Sequence, residues 1–162
     1  MNQDTFIALG SNQGDRELNL LLAVAELGKL PDSKITALSG FYDTEPVGPV
    51  QQDNFLNAVL RMTTAIQPAP LLAVLLHIET DIFARTRGEV WGPRRMDLDL
   101  LFYGNETHDG PDLILPHPRL HERRFVLQPL AEIAPDFIHP RLGESIARLL
   151  SQLHTPERVI RI

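Results

Sequence analysis

The sequence predicts an α+β fold, an antiparallel sheet with helices on one face and candidate catalytic loops on the other, from three observations. Apolar residues make up 43% and charged residues 22% of a 162-residue chain without cysteine. That is one core's worth of chain, with no cross-links to help it, and residues 1–162 read as a single domain. The periodicities alternate in the order β-α-β-β-α-β, the ferredoxin-like arrangement. Thirteen prolines, well above the ~5% background, place much of the remainder in ordered loops.

Each element follows from its residues. Thr5-Phe6-Ile7-Ala8-Leu9 is a short apolar run closed by Gly10-Ser11-Asn12, a buried strand and a turn. Asp15 then caps a helix in which Leu18, Leu21, Leu22 and Ala25 recur at helical spacing, and Gly28 with Pro31 ends it. Residues 34–44 form a second strand, broken by Glu45-Pro46-Val47-Gly48-Pro49, which can be neither helix nor central strand. A third strand spans 55–63. Residues 68–83 form a helix whose buried stripe is Leu71, Leu72, Leu75, Ile78 and Ile82. After a polar, Gly/Pro-broken stretch over 85–95, residues 97–103 form a fourth strand. A Pro-rich loop over 106–121 and two helices, 125–132 and 143–153, complete the chain.

Composition removes whole classes of function. A net charge of −6 argues against a protein that coats nucleic-acid backbones, and the strands lack aromatic-basic interleaving. No apolar run approaches the ~18 residues of a membrane span, and Met1-Asn2-Gln3-Asp4 has no basic leader. The expected setting is cytoplasmic, with small-molecule partners and neither nucleic acid nor membrane. The charge is uneven, however. Residues 1–84 hold four bases and ten acids, whereas residues 85–124 hold seven of the thirteen arginines against seven acids. An anion site belongs in the second segment, where planar guanidinium groups suit phosphate.

Asp97-Leu98-Asp99 places two carboxylates at i and i+2 of a strand, on one face and ~6.5–7 Å apart. Such a pair is relieved by a cation, an arginine or solvent, and hard oxygen ligands suit Mg²⁺ rather than zinc. By itself an Asp-x-Asp is more often a solvated strand edge than a metal site. Gly10-Ser11-Asn12-Gln13-Gly14-Asp15 lacks the Gly-Lys-Ser/Thr ending of a Walker loop. His117 and His121 have no third ligand at zinc spacing.

The combination is more specific than its parts. Trp91-Gly92-Pro93-Arg94 running into Asp97-Leu98-Asp99-Leu100-Leu101-Phe102-Tyr103-Gly104 resembles the signature of the 6-hydroxymethyl-7,8-dihydropterin pyrophosphokinases. Ala8 to Asn12, Phe41 to Pro49, Phe55 to Ala58, Glu79, Leu115 to Pro118, Arg123 and Phe125 follow in the order and spacing of that family. The resemblance implies a ferredoxin-like fold and transfer of the β,γ-diphosphate of ATP to a pterin alcohol in folate biosynthesis.

It further implies roles for single residues. Asp97 and Asp99 would hold two Mg²⁺ ions and, with Arg94, serve catalysis. Arg85, Arg87, Trp91, Arg94, Leu100, His117 and Arg123 would bind ATP. Gly10, Thr44, Glu45, Val47, Phe55, Asn57 and Phe125 would bind the pterin, the two phenylalanines by stacking and Asn57 through its amide. Val90 stands where many members of that family carry arginine. The competing reading is a non-enzymatic ferredoxin-like binding module or an inactive relative.

Overall fold

The computed structural model describes residues 2–83 and 95–162. Along the chain run β1 (Gln3–Ser11), α1 (Arg16–Gly28), β2 (Ser33–Leu38), β3 (Tyr42–Thr44), β4 (Phe55–Thr64), α2 (Pro68–His77) and β5 (Asp97–Tyr103). There follow β6 (His108–Asp109), β7 (Ile114–Leu115), α3 (Arg124–Ile133), α4 (Ile146–Gln152) and β8 (Val159–Arg161). Six strands form one antiparallel sheet in the order β5-β1-β4-β3-β8, with β2 also pairing β4 beside β3. The two-residue strands β6 and β7 pair with each other.

Strand alternation builds two cores. Ile7, Leu9, Leu56, Ala58, Leu60, Leu98 and Leu100 pack with Leu20, Ala23 and Leu27 of α1 and with Leu71 and Leu75 of α2. From the opposite face, Phe6, Val59, Leu101 and Phe102 pack with Val126, Leu127 and Leu130 of α3 and with Ile146 and Leu149 of α4. A bulge makes this possible in β5. Phe6 pairs Phe102 while Ile7 pairs Leu100, so Leu101 is skipped and it shares a core with its neighbour Phe102.

The α+β class and the ferredoxin-like strand order are those expected, with one difference of detail. The second face is not left to loops, because α3 and α4 cover the part over Phe6, Val59 and Phe102. Several elements also differ locally. The strand expected over 34–44 is two strands, separated where the Ser39 hydroxyl accepts from the Val59 amide at 2.9 Å and the Gly40 amide donates to the Glu132 carboxylate. Leu18, Leu21 and Leu22 of α1 face solvent. Asn19 sets that rotation, since its amide donates to Ser11 Oγ and to the Gln13 carbonyl at the end of β1. In the second helix Ile82 is exposed and Phe83 is buried. The cause is a wide π-type turn over Ile78–Ile82, which adds a residue to the turn and rotates the stripe.

Strand β5 lies at the rim of the sheet. The buried Glu79 carboxylate accepts its Leu98 amide at 2.6 Å, and the His117 amide donates to its Leu101 carbonyl at 3.0 Å. Among the described residues no helix is long and apolar enough to cross a membrane.

Candidate active site

One row of the sheet gathers residues from four strands. Tyr42 pairs Asn57, Asn57 pairs Gly10, and Gly10 pairs Asp97. Directly opposed residues of antiparallel strands share a face, so these four stand side by side over the end of the sheet where α3 begins. Thr44 pairs Phe55 in the next row on one side, and Ala8 pairs Asp99 on the other.

The middle of the row is built around the absence of a side chain. A Cβ on Gly10 would lie 2.6 Å from Asn57 Oδ1 and 3.6 Å from Phe55 Cδ1. Glycine therefore lets the Asn57 amide and the Phe55 ring close over the β1 backbone. Asn57 is buried, and its Nδ2 donates to the buried Thr44 Oγ1 at 2.6 Å. That bond fixes the orientation of the amide. At the end of the row Tyr42 donates its hydroxyl to Glu132 of α3 at 2.5 Å. Burial, then the hydrogen bond to Glu132, pushes the Tyr42 hydroxyl up to about 12, so it stays protonated as a donor.

Helix α3 enters over this floor. The Arg123 guanidinium lies over the Phe125 ring, 5.6 Å from its centroid, and Phe125 is half-buried against the core under α3. Phe55 on the sheet and Phe125 at the start of α3 thus belong to the same face and the same end of the sheet, one on the floor and one on the helix above it.

Asp97 and Asp99 are half-buried on β5, while Leu98 and Leu100 between and beyond them enter the opposite core. Among the described residues no cluster of three metal-ligating side chains occurs. Asp99, Leu100 and His117 line a cavity of ≈ 270 Å³ with Leu72, Leu98, Leu113, Ile114 and Pro118. Burial, and then the Arg123 charge, pushes the His117 imidazole down to about 4, against an opposing pull from Asp97. The ring is neutral near pH 7. Its Nδ1 accepts from the Arg119 amide at 3.3 Å, which leaves the proton on Nε2 as a donor.

The structure therefore brings Gly10, Thr44, Phe55 and Asn57 together on the sheet, with Asp97 on the same row, Arg123 and Phe125 at α3, and Asp99, Leu100 and His117 at one cavity. Glu45 and Val47 follow Thr44 in an exposed loop. Arg85, Arg87, Val90, Trp91 and Arg94 lie outside the described residues. Two contributors carry no sequence signal, Glu132 on Tyr42 and Glu157, whose carboxylate accepts from the Arg124 amide at 2.5 Å, while Glu79, which the resemblance includes, accepts the Leu98 amide. Each partner lies 19 or more residues away, beyond any motif window.

Residues 6–135 match the family described as 7,8-dihydro-6-hydroxymethylpterin-pyrophosphokinase. The chain belongs to this family. It is 47% identical over 133 residues to the 2-amino-4-hydroxy-6-hydroxymethyldihydropteridine pyrophosphokinase of Bacillus subtilis, covering 82% of this chain and 79% of that one. It is 42% identical over 147 residues to the pyrophosphokinase of the same name from Synechocystis, covering 91% and 74%. Among solved structures, the Plasmodium falciparum HPPK-DHPS with pterin and p-hydroxybenzoate superposes with a TM-score of 0.75 at 16% identity. That match covers 94% of this chain and 43% of the longer two-part chain, and it shows a shared fold. In this pyrophosphokinase-family chain the matched segment runs from Phe6 in β1 past the end of α3, and α4 and β8 lie beyond it.

Proposed function

We propose that the chain, as a single domain over residues 1–162, transfers the β,γ-diphosphate of ATP to the hydroxymethyl group of 6-hydroxymethyl-7,8-dihydropterin, giving AMP and the pterin diphosphate. One observation carries the reading. The row Tyr42–Asn57–Gly10–Asp97 sets an oriented amide and an acidic side chain on opposite sides of a bare backbone. Two strand spacings separate them, ~10 Å.

A flat bicycle laid over Gly10, between Phe55 and Phe125, meets the Asn57 amide with its pyrimidinone edge and extends its alcohol toward Asp97. Thr44 holds the amide, and Glu45 and Val47 close the loop side. The triphosphate lies beside Asp99, with the cavity beyond taking the apolar face of the adenine. The neutral His117 donates Nε2–H to a phosphate oxygen, and Arg123 contributes a fixed positive charge. Arg85, Arg87, Trp91 and Arg94 complete the phosphate side in this reading.

Two carboxylates on one face, spaced by a leucine that enters the core, fit a hard divalent cation. Asp97 and Asp99 would hold Mg²⁺, two ions by the family pattern, and when bound it would neutralise charge on the diphosphate and on the departing AMP. The protein's own part is positioning and electrostatics. The pterin oxygen bonds to the β-phosphorus, the bond from that phosphorus to the oxygen shared with the α-phosphate breaks, and the hydroxyl proton is released. The cysteine-free sequence and small-molecule substrates suit a cytoplasmic setting.

The test is AMP formation from ATP, expected only when hydroxymethyl-dihydropterin and Mg²⁺ are both present. Asp97→Ala and Asp99→Ala should each lower kcat by at least on the order of 10²–10³ while leaving the thermal midpoint within a few degrees. Turnover within a few fold of the wild type would remove the metal assignment. AMP release independent of pterin would remove the reaction.

A further inference from the structure

The first turn of α3 carries both Arg123 and Phe125, yet the helix has no cap of its own. Its N-cap position is Arg123, which supplies no side-chain acceptor to the orphan amides of the first turn. The acceptor comes instead from 33 residues away, where Glu157 Oε1 takes the Arg124 amide at 2.5 Å. A carboxylate at this end of a helix also meets the positive end of the helix dipole. The Arg124 guanidinium in turn donates to the Leu153 carbonyl after α4 at 3.1 Å.

Two residues beyond Glu157, the same segment becomes a strand of the sheet. Val159 pairs Thr44 and Arg161 pairs Tyr42, so β8 covers the outer edge of β3. Arg161 Nε approaches Glu132 Oε1 of α3 at 3.6 Å, and the Ile162 amide donates to the Phe41 carbonyl at 3.0 Å. Residues 157–161 therefore hold the start of α3 with one side chain and the strand of Thr44 with their backbone. Those are the two walls between which the pterin lies in the function proposed above. The whole segment falls outside residues 6–135, the part that matches the family.

We infer that Glu157 is a positioning residue for pterin binding, setting the separation between Phe125 on α3 and the Thr44–Asn57 floor of the sheet. This rests on the proposed function. Glu157 touches neither substrate; it acts through the Arg124 amide. Most of the ATP side, built on β5 and His117, is tied to other contacts; of its described residues only Arg123 shares the start of α3, and its long side chain reaches the phosphates from there.

The experiment measures Kd for hydroxymethyl-dihydropterin and for an ATP analogue by calorimetry, with steady-state KM values and thermal midpoints, on the wild type, Glu157→Ala, Glu157→Gln and Glu157→Asp. Glu157→Ala is expected to raise pterin Kd and KM about tenfold, the size of one lost charge-assisted hydrogen bond, with ATP Kd and kcat within twofold. Glu157→Gln keeps an acceptor oxygen and should recover most of the affinity. Glu157→Asp is one methylene too short to reach the amide and should repeat the defect, which covers the case in which the alanine variant does not fold. Pterin Kd within twofold of the wild type in Ala and Asp variants, or equal loss for both ligands, overturns the inference while leaving the reaction intact. A wild-type chain that binds no pterin overturns both.

Discussion

An added methyl group at Gly10 tests the floor of the site. With Asn57 Oδ1 2.6 Å from the new Cβ, Gly10→Ala forces the amide away from its bond to Thr44. The expected result is a pterin Kd raised about tenfold or more, with ATP affinity little changed and the stability loss confined to about 1–3 kcal/mol from overpacking. Calorimetric titration with each ligand separates the two. Equal loss for both ligands would show that the methyl disturbs the sheet and not the slot. The same residues mark how far a sequence can be read. The shared face of Asn57, Phe55 and the Asp97–Asp99 pair is legible because strand alternation states it, while the chemistry proposed for them comes from the family resemblance. Glu157 and Glu132 are not legible, because a carboxylate that caps a distant amide leaves no pattern near itself, and Glu79 enters by resemblance alone, which says nothing of its bond to the Leu98 amide.

Helix α1 shows the corresponding limit for an element. Its leucines form two stripes, and hydrophobic spacing alone supports either one as the buried face. Asn19 decides between them, since its bonds to Ser11 and Gln13 are satisfied only with Leu20, Ala23 and Leu27 inward. Leu20→Ala should therefore cost about 2–5 kcal/mol and Leu21→Ala less than about 0.5 kcal/mol, read from denaturant midpoints at fixed slope. A larger loss for Leu21→Ala would place the other stripe inward. Strand β8 was illegible for a related reason. Three residues of an exposed strand carry no periodicity, and their pairing is set by β3, more than a hundred residues earlier. In contrast, the Asp15 cap and the ends of β4 and β5 sit within a residue of the expected bounds, because turn and cap chemistry is local.

Across the whole molecule, a buried histidine, His139, and a half-buried one, His117, couple stability to pH. His139 lies under Phe102, 3% exposed, with Nδ1 accepting the Arg141 and Leu142 amides. Burial, with His121 and Arg141 nearby, pushes it down to about 4, as burial also does to His117. The unfolded chain takes up protons at these positions near pH 6.5 and the folded chain only near 4. Stability from each is thus complete above pH 6.5 and is lost as pH falls from 6.5 to 4. His139→Asn keeps an acceptor but does not titrate. It should remove about 1–2 kcal/mol of the stability difference between pH 7.5 and pH 5 measured by urea unfolding. An unchanged difference would show that His139 is not the coupled group.

The rim position of β5 has a consequence for self-association. An edge strand with open amides and carbonyls is a template on which a second chain can add its own strand, and such pairing is a route to aggregates. Here the outer side of β5 is already engaged at Leu98 by the Glu79 carboxylate and at Leu101 by the His117 amide. The strand that presents Asp97 and Asp99 can stay at the margin of the sheet, open to solvent-borne ligands, without offering its backbone to a neighbour. Access for a small molecule and protection against intermolecular strand pairing are met by the same two contacts.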